Sequence, residues 1–156
     1  MAEAQVNVRA SGEVAARVGQ ALGIALPMEP NTVATVGPRS ILWLGPDEWL
    51  VVDSERSAAE IEAHVRAALA PDWGSVVDVS ANRTIVELTG PRARDVLARG
   101  CSLDLHPRRF GPGRCAQTLL AKAAVILWQT DEAPTFKVFV RASFAAHLER
   151  WLADAA

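Results

Sequence analysis

The segment Ile41-Leu42-Trp43-Leu44-Gly45-Pro46-Asp47-Glu48-Trp49-Leu50-Val51-Val52 decides the fold class. Two short apolar runs flank Gly45-Pro46-Asp47-Glu48, whose residues have turn chemistry, so the segment reads as a β-hairpin. Five residues later Ser57 and Glu60 form an S-x-x-E capping box, which satisfies two orphan backbone donors and starts a helix over Ser57 to Leu69. Ile61, Val65, Ala68 and Leu69 fall on one face of that helix, where burying them against the hairpin removes apolar area from water.

The same grammar recurs outward. Ser11 to Leu22 reads as a helix with Val14, Val18 and Leu22 on one face and Gly23 as its stop, and Thr32 to Val36 reads as a strand. Ser75 to Val79 and Arg83 to Leu88 read as a second hairpin around Ser80-Ala81-Asn82, followed by a helix from Pro91 to Arg99 that Gly100 ends. Thr118 to Ala121, Ala124 to Gln129 and Thr135 to Val140 read as strands. A final helix capped by Ser143 runs to about Ala153, with Phe144, Leu148, Trp151 and Leu152 as its stripe. The expectation is an α+β fold, a mostly antiparallel sheet with amphipathic helices on one face. A strand-turn-strand-helix unit is used three times, over 41–69, 75–99 and 124–153. No low-complexity linker interrupts the 156 residues, so a single domain is expected over 1–156, with 1–40 its less diagnostic part.

Composition narrows the function classes. A net charge of -2 argues against a general nucleic-acid binder. The longest apolar run, Ala123 to Trp128, suits a buried strand rather than a membrane span. The first residues have no basic region followed by an apolar block, so no secretory signal is read, and a cytoplasmic location is expected. The two cysteines, Cys101 and Cys115, are expected as unpaired thiols there. His64, His106 and His147 share no helical spacing, and Cys-x-x-Cys and His-Glu-x-x-His are absent, so zinc has no support in this chain. Neither G-x-G-x-x-G nor a Walker signature occurs.

Candidate chemistry is sparse. Cys101, Asp104 and His106 invite a nucleophile reading. Cys101 follows the end of a helix, where the dipole disfavours a thiolate, and a buried small hydrophobe is the better reading. Asp78 within Val76-Val77-Asp78-Val79 is either a carboxylic acid of raised pKa or, more simply, a solvent-face or hydrogen-bonded carboxylate. Residues 83–114 hold seven arginines against Glu87, Asp95 and Asp104, an excess of four positive charges in a chain of net charge -2. Arginine is favoured at interfaces, and Trp43 and Trp49 bracket a turn. Trp43, Trp49, Arg92, Arg94, Arg108, Arg109 and Arg114 are therefore the candidate interface residues. No catalytic, cofactor-binding or metal-binding residue is assigned.

Several motifs together resemble the gamma subunits of heterotetrameric sarcosine oxidases. They are Trp43 to Leu50; Val77-Asp78-Val79-Ser80 followed by Asn82-Arg83-Thr84; Leu88-Thr89-Gly90-Pro91 with Ala93 to Leu97; Gly100-Cys101; Asp104 to Pro107 with Phe110; Cys115 to Leu120; and Arg141 to Ala145. The resemblance covers about residues 41 to 156. More distantly the chain resembles the folate-binding domain of the aminomethyltransferase family, the glycine cleavage T-protein. That family places a carboxylate for the folate amine where this chain has Ala121-Lys122-Ala123-Ala124-Val125-Ile126. The resemblance implies a non-catalytic subunit assembled with alpha, beta and delta partners. It further implies that FAD, FMN, NAD and zinc belong to those partners, and that the complex oxidises sarcosine to glycine and formaldehyde, or methylene-tetrahydrofolate, and hydrogen peroxide. The alternative is a stand-alone folate-binding or one-carbon-transfer protein of the same fold.

Overall fold

The computed structural model describes residues 2–156. The chain divides after Ser80 into two compact units. The first contains β1 (Ala4–Arg9), α1 (Gly12–Leu22), β2 (Val33–Val36), β3 (Arg39–Gly45), β4 (Glu48–Asp53), α2 (Ala58–Leu69) and β5 (Ser75–Asp78). Its sheet is antiparallel, in the order β2-β3-β4-β1-β5. The hairpin forms at β3 and β4, with Trp43 opposite Trp49 and a bulge before Gly45. The capping box at Ser57 and Glu60 forms in both directions. Gly23 takes the left-handed conformation at φ 74°, which a glycine adopts without steric cost, and closes α1.

The second unit contains β6 (Arg83–Thr89), α3 (Ala93–Ala98), β7 (Cys115–Leu120), β8 (Ala123–Asp131), β9 (Thr135–Arg141) and α4 (Ala145–Ala155), the last entered through a 3-10 turn at Ala142–Phe144. Its antiparallel sheet has the order β6-β9-β8-β7. Phe144, read as part of the apolar stripe of α4, lies before the helix and is half-exposed.

Each unit has its own core. In the first, Val6, Val8, Ile41, Trp49, Val51 and Val76 of the sheet meet Val18 and Leu22 of α1 and Ile61, Val65 and Leu69 of α2. In the second, Val125, Leu127, Phe136, Val138 and Val140 meet Val96 and Leu97 of α3 and Leu148 and Leu152 of α4. Full burial of each such side chain is worth about 1.5–3 kcal/mol. The α+β class with antiparallel strands and amphipathic helices is as expected, the strands forming two sheets where one was read.

Three features differ from the sequence reading. Residues 4–9, which carry the alternating Val6 and Val8, form a strand with neighbours on both sides. The segments Ser75 to Val79 and Arg83 to Leu88 are not a hairpin: β5 pairs with β1, and β6 pairs with β9. The intervening residues are tied to different strands. Val79 N–H donates to the Gln5 carbonyl, Ser80 Oγ accepts from Gln5 N–H, and the Asn82 carbonyl accepts from Ala142 N–H. The repeat is consequently twofold rather than threefold. Each unit runs strand-helix-three strands-helix, and each sheet places the first strand beside the last strand of the three-stranded meander.

Gly74, between α2 and β5, shows how tightly one connection is packed. A Cβ placed there meets Leu69 Cδ2 at 2.5 Å and the Arg9 carbonyl oxygen at 2.8 Å. The oxygen is backbone inside the β1–β5 ladder and cannot yield. Gly74→Ala is expected to lower the unfolding free energy by about 2 kcal/mol, measured by urea denaturation.

Candidate functional site

The most elaborate polar cluster of the first unit lies where β3 begins and β4 ends, because register pairs Arg39 with Asp53. Asp53 is 1% exposed. Its Oδ2 accepts from Arg39 Nε at 2.9 Å and lies 2.9 Å from Arg39 Nη2, while Oδ1 accepts from the backbone N–H groups of Glu55 and Arg56, each at 2.9 Å. Arg39 Nη1 also donates to the Leu22 carbonyl at the end of α1. Burial pushes the Asp53 carboxyl up. The hydrogen bonds from Arg56, Glu55 and Arg39 and the guanidinium charge outweigh that and hold it below the ordinary aspartate value. Sequence reasoning passed over this pair. A cavity of about 300 Å³ opens beside it, lined also by Ile24, Val36 and Pro38. A carboxylate so fully used as an acceptor is a structural anion rather than a proton donor.

In the second unit the arginines separate into two groups. Arg94 points inward: Nη1 donates to the carbonyls of Leu105 and Phe110, and Nη2 donates to Gln129 Oε1 at 2.9 Å. Its guanidinium lies over the Phe136 ring, 5.5 Å from the centroid. Arg94 thus clamps the irregular segment 101–114 to β8, and it is not an outward interface cation as its sequence context implied. Arg99 likewise donates to the Ala155 carbonyl at the end of α4. Arg114 is half-buried at the start of β7. Arg92, Arg108 and Arg109 are exposed. The latter two ride on a turn in which Arg109 N–H donates to the His106 carbonyl and Arg108 N–H donates to His106 Nδ1.

The tryptophans sort differently from their sequence reading. Trp49 is 0% exposed and its Nε1 donates to the Pro27 carbonyl at 2.8 Å, so it is a core residue and not an interface anchor. The alternation of β4 carries its ring to the helix-covered face. Trp43 is half-buried against the same core. The exposed tryptophan is Trp73, which the sequence reading did not single out.

The remaining candidates do not converge. Cys101 is buried with Sγ 3.7 Å from Thr118 Oγ1, while His106 is exposed with its own N–H on Asp104 Oδ1. Asp78 is exposed, and hydrogen bonds from the Ser80 hydroxyl and backbone hold its carboxyl below the ordinary value, the reverse of a general acid. His64 and His147 bond backbone carbonyls, those of Glu60 and Ala121. Among the described residues no cluster of three or more His, Cys, Asp or Glu side chains is placed to hold a metal, and no helix is long and apolar enough to cross a membrane. Ala121 and Lys122 form the β7–β8 turn at φ 50° and 68°. Beyond them Ala123, Val125 and Ile126 are buried, and residues 121–126 include no Asp or Glu to meet a folate amine.

The architecture is that of a solved aminomethyltransferase: the glycine cleavage system aminomethyltransferase T of Bartonella henselae superposes with a TM-score of 0.72 at 13% identity, over 96% of this chain and 43% of that one. The class is therefore the aminomethyltransferase-like α+β fold, here with two antiparallel sheets and four α-helices. Within that class, the model of the sarcosine oxidase, gamma subunit family matches residues 7–156, and the chain belongs to this family. A sarcosine oxidase subunit gamma from Corynebacterium sp. (strain P-1) is 45% identical over 155 residues, covering 97% of this chain and 74% of the relative. The solved heterotetrameric sarcosine oxidase from Corynebacterium sp. U-96, in complex with pyrrole 2-carboxylate, contains a chain that superposes with a TM-score of 0.92 at 38% identity, over 99% of this chain and 79% of that one. The family match begins well before the motifs quoted from residue 41 onward.

Because Asp53 binds protons less readily folded than unfolded, its contribution to stability is complete above the unfolded value of about 3.9 and is lost as pH falls through the folded value. Asp53→Asn is expected to cost about 2–3 kcal/mol at pH 7 and to flatten the loss of stability as pH falls below the ordinary aspartate value of about 3.9. Urea midpoints across that range, compared between wild type and variant, check both statements.

Proposed function

We propose that this chain is the gamma subunit of a heterotetrameric sarcosine oxidase, acting in assembly or stabilisation of the flavin-bearing subunits rather than in turnover. The whole of residues 1–156 serves as one domain in that role. In this reading the complex sits in the cytoplasm with alpha, beta and delta partners that carry FAD, FMN, NAD and zinc. It converts sarcosine, water and oxygen to glycine, formaldehyde and hydrogen peroxide, or passes the one-carbon unit to tetrahydrofolate.

The observation that carries the reading is the 45% identity to a sarcosine oxidase gamma subunit over 97% of this chain. The chemistry of the side chains is consistent with a contact role. The perturbed carboxylates Asp53, Glu60, Asp78 and Asp131 are all shifted toward the ionised form, and Cys101 is buried while His106 is exposed. In the second unit Arg92, Arg108 and Arg109 are exposed, and arginine is the side chain suited to bidentate pairing with carboxylates of a partner. Arg114 of the second unit and Trp43 of the first, both half-buried, are the further proposed contact residues, each within its own unit.

Co-expression with the other three subunits tests the reading: omission of this chain is expected to abolish a stable, active complex. Recovery of full activity without it overturns the assembly role, and micromolar tetrahydrofolate binding by the isolated chain in calorimetry favours the folate-protein alternative. The double charge reversal Arg108→Glu/Arg109→Glu is expected to reduce recovered complex about tenfold or more, with the melting temperature of the isolated chain unchanged. Undiminished recovery removes this turn from the contact surface.

A further inference from the structure

The turn that carries Arg108 and Arg109 is fastened at both ends. Leu105 and Phe110 are buried in the core of the second unit, and the Phe110 ring stacks on Phe136 with centroids 6.3 Å apart. Between them the backbone folds on itself. The His106 carbonyl accepts from the N–H groups of Arg109 at 2.7 Å and Phe110 at 2.9 Å. His106 Nδ1 accepts from Arg108 N–H at 3.2 Å, and Asp104 Oδ1 accepts from His106 N–H at 3.0 Å. The side chains of Pro107, Arg108 and Arg109 are exposed. Two adjacent guanidinium groups thus stand on a backbone whose path is set before any partner arrives.

Arg94 joins the two ends of that turn. Its Nη1 donates to the carbonyls of both Leu105 and Phe110, and its Nη2 donates to Gln129 Oε1 on β8 at 2.9 Å. Gln129 is 0% exposed and its Nε2 donates to the Asp131 carbonyl at 2.8 Å, so the acceptor is itself held in place. The segment between α3 and β7 contains no strand or helix, and this one fork spans it. A lysine at the position keeps the charge but lacks the planar fork that reaches three acceptors at once. All three of these hydrogen bonds end within the second unit, so Arg94 bears on a partner only through the turn it holds.

We infer that Arg94 is a positioning residue for assembly, holding the turn so that Arg108 and Arg109 meet a carboxylate-bearing surface of another subunit. Adjacent exposed arginines select carboxylates by charge and geometry, and fixing their backbone beforehand lowers the ordering entropy that pairing has to overcome. The inference rests on the reading of the arginine turn as a contact and identifies what makes that contact competent.

The test uses the full chain, alone and co-expressed with the remaining subunits. In the isolated chain, trypsin is expected to cleave after Arg108 and Arg109 about fivefold faster in Arg94→Lys than in wild type, as the turn opens locally. In the complex, retention of Arg94→Lys is expected to fall about fivefold. Arg94→Gln, neutral and with only one amide group to donate, is a second variant of which the same fall is expected. Adding Arg94→Lys to Arg108→Ala/Arg109→Ala is expected to bring no further loss, because Arg94 acts through those two side chains. A merely structural role would instead give losses that add. Additive losses, unchanged trypsin cleavage, or full retention of Arg94→Lys while Arg108→Ala/Arg109→Ala is lost from the complex each overturn the inference alone. Undiminished retention of Arg108→Ala/Arg109→Ala overturns the reading of the turn as a contact and this inference with it.

Discussion

The first unit depends on the pairing of β1 with β4, where Val6 meets Val51 and Val8 meets Trp49. Without it, β2, β3 and β4 form a three-stranded meander whose apolar face has little to close against. With it, α1 is carried back over the sheet, β5 gains a strand to pair with, and α2 finds β1 and β5 beneath it. The β6–β9 ladder does the same for the second unit, where Ile85, Val86 and Leu88 align with Phe139, Val138 and Phe136. Both pairings join segments remote in sequence, so each incurs loop-closure entropy before burial repays it. That cost is offset only when the helix on each side of the meander also docks, which ties the four core elements of a unit together.

Arginine does two separate jobs here. Arg39 and Arg94 turn inward and Arg99, though exposed, folds back on its own unit; their guanidinium groups donate to backbone carbonyls, those of Leu22, of Leu105 and Phe110, and of Ala155. A planar fork with five donors reaches several acceptors at once, which lysine's single ammonium does not. Arg94 is the clearest case, because the segment between α3 and β7 has no ladder of its own and contains Pro107, Pro112, Gly111 and Gly113. Arg92, Arg108 and Arg109 face solvent instead. A local charge excess read from sequence mixes these two populations, and only the directions of the side chains separate them.

Much of the fold was legible because its signals are local. The β3–β4 turn, the Ser57–Glu60 box and the Gly23 stop are each decided within a few residues, and each forms as read. The connection at residues 79–82 was not legible, since a short polar link between two alternating strands looks the same whether the strands pair or part. What parts them is the attachment of Val79 and Ser80 to Gln5 and of Asn82 to Ala142, contacts that no local pattern encodes. The strand at Ala4–Arg9 carried its alternation openly in Val6 and Val8, but its partners lie far along the chain. Among candidate site residues the tryptophans show the same division. Trp49 sits next to a turn, yet strand alternation takes it to the core; Trp73 sits in a segment with no periodicity from which to infer a face.

A shared fold does not by itself carry a shared chemistry, so the likeness to an aminomethyltransferase speaks for the architecture alone. In the stretch where the resemblance places a carboxylate for folate, the chain turns through Ala121 and Lys122 and then enters β8 with Ala123, Val125 and Leu127 directed into the core. A carboxylate at any of those three positions would be an uncompensated charge among Phe136, Val138 and Leu148, which burial forbids. The chemically expressive residues lie elsewhere, on an arginine-bearing turn of one unit and an exposed tryptophan of the other. Both kinds of group are favoured where protein surfaces meet. Two separately cored units thus carry these groups, and the carboxylate most deeply buried, Asp53, is spent on its own fold, as an acceptor for Arg39 and for the backbone of Glu55 and Arg56.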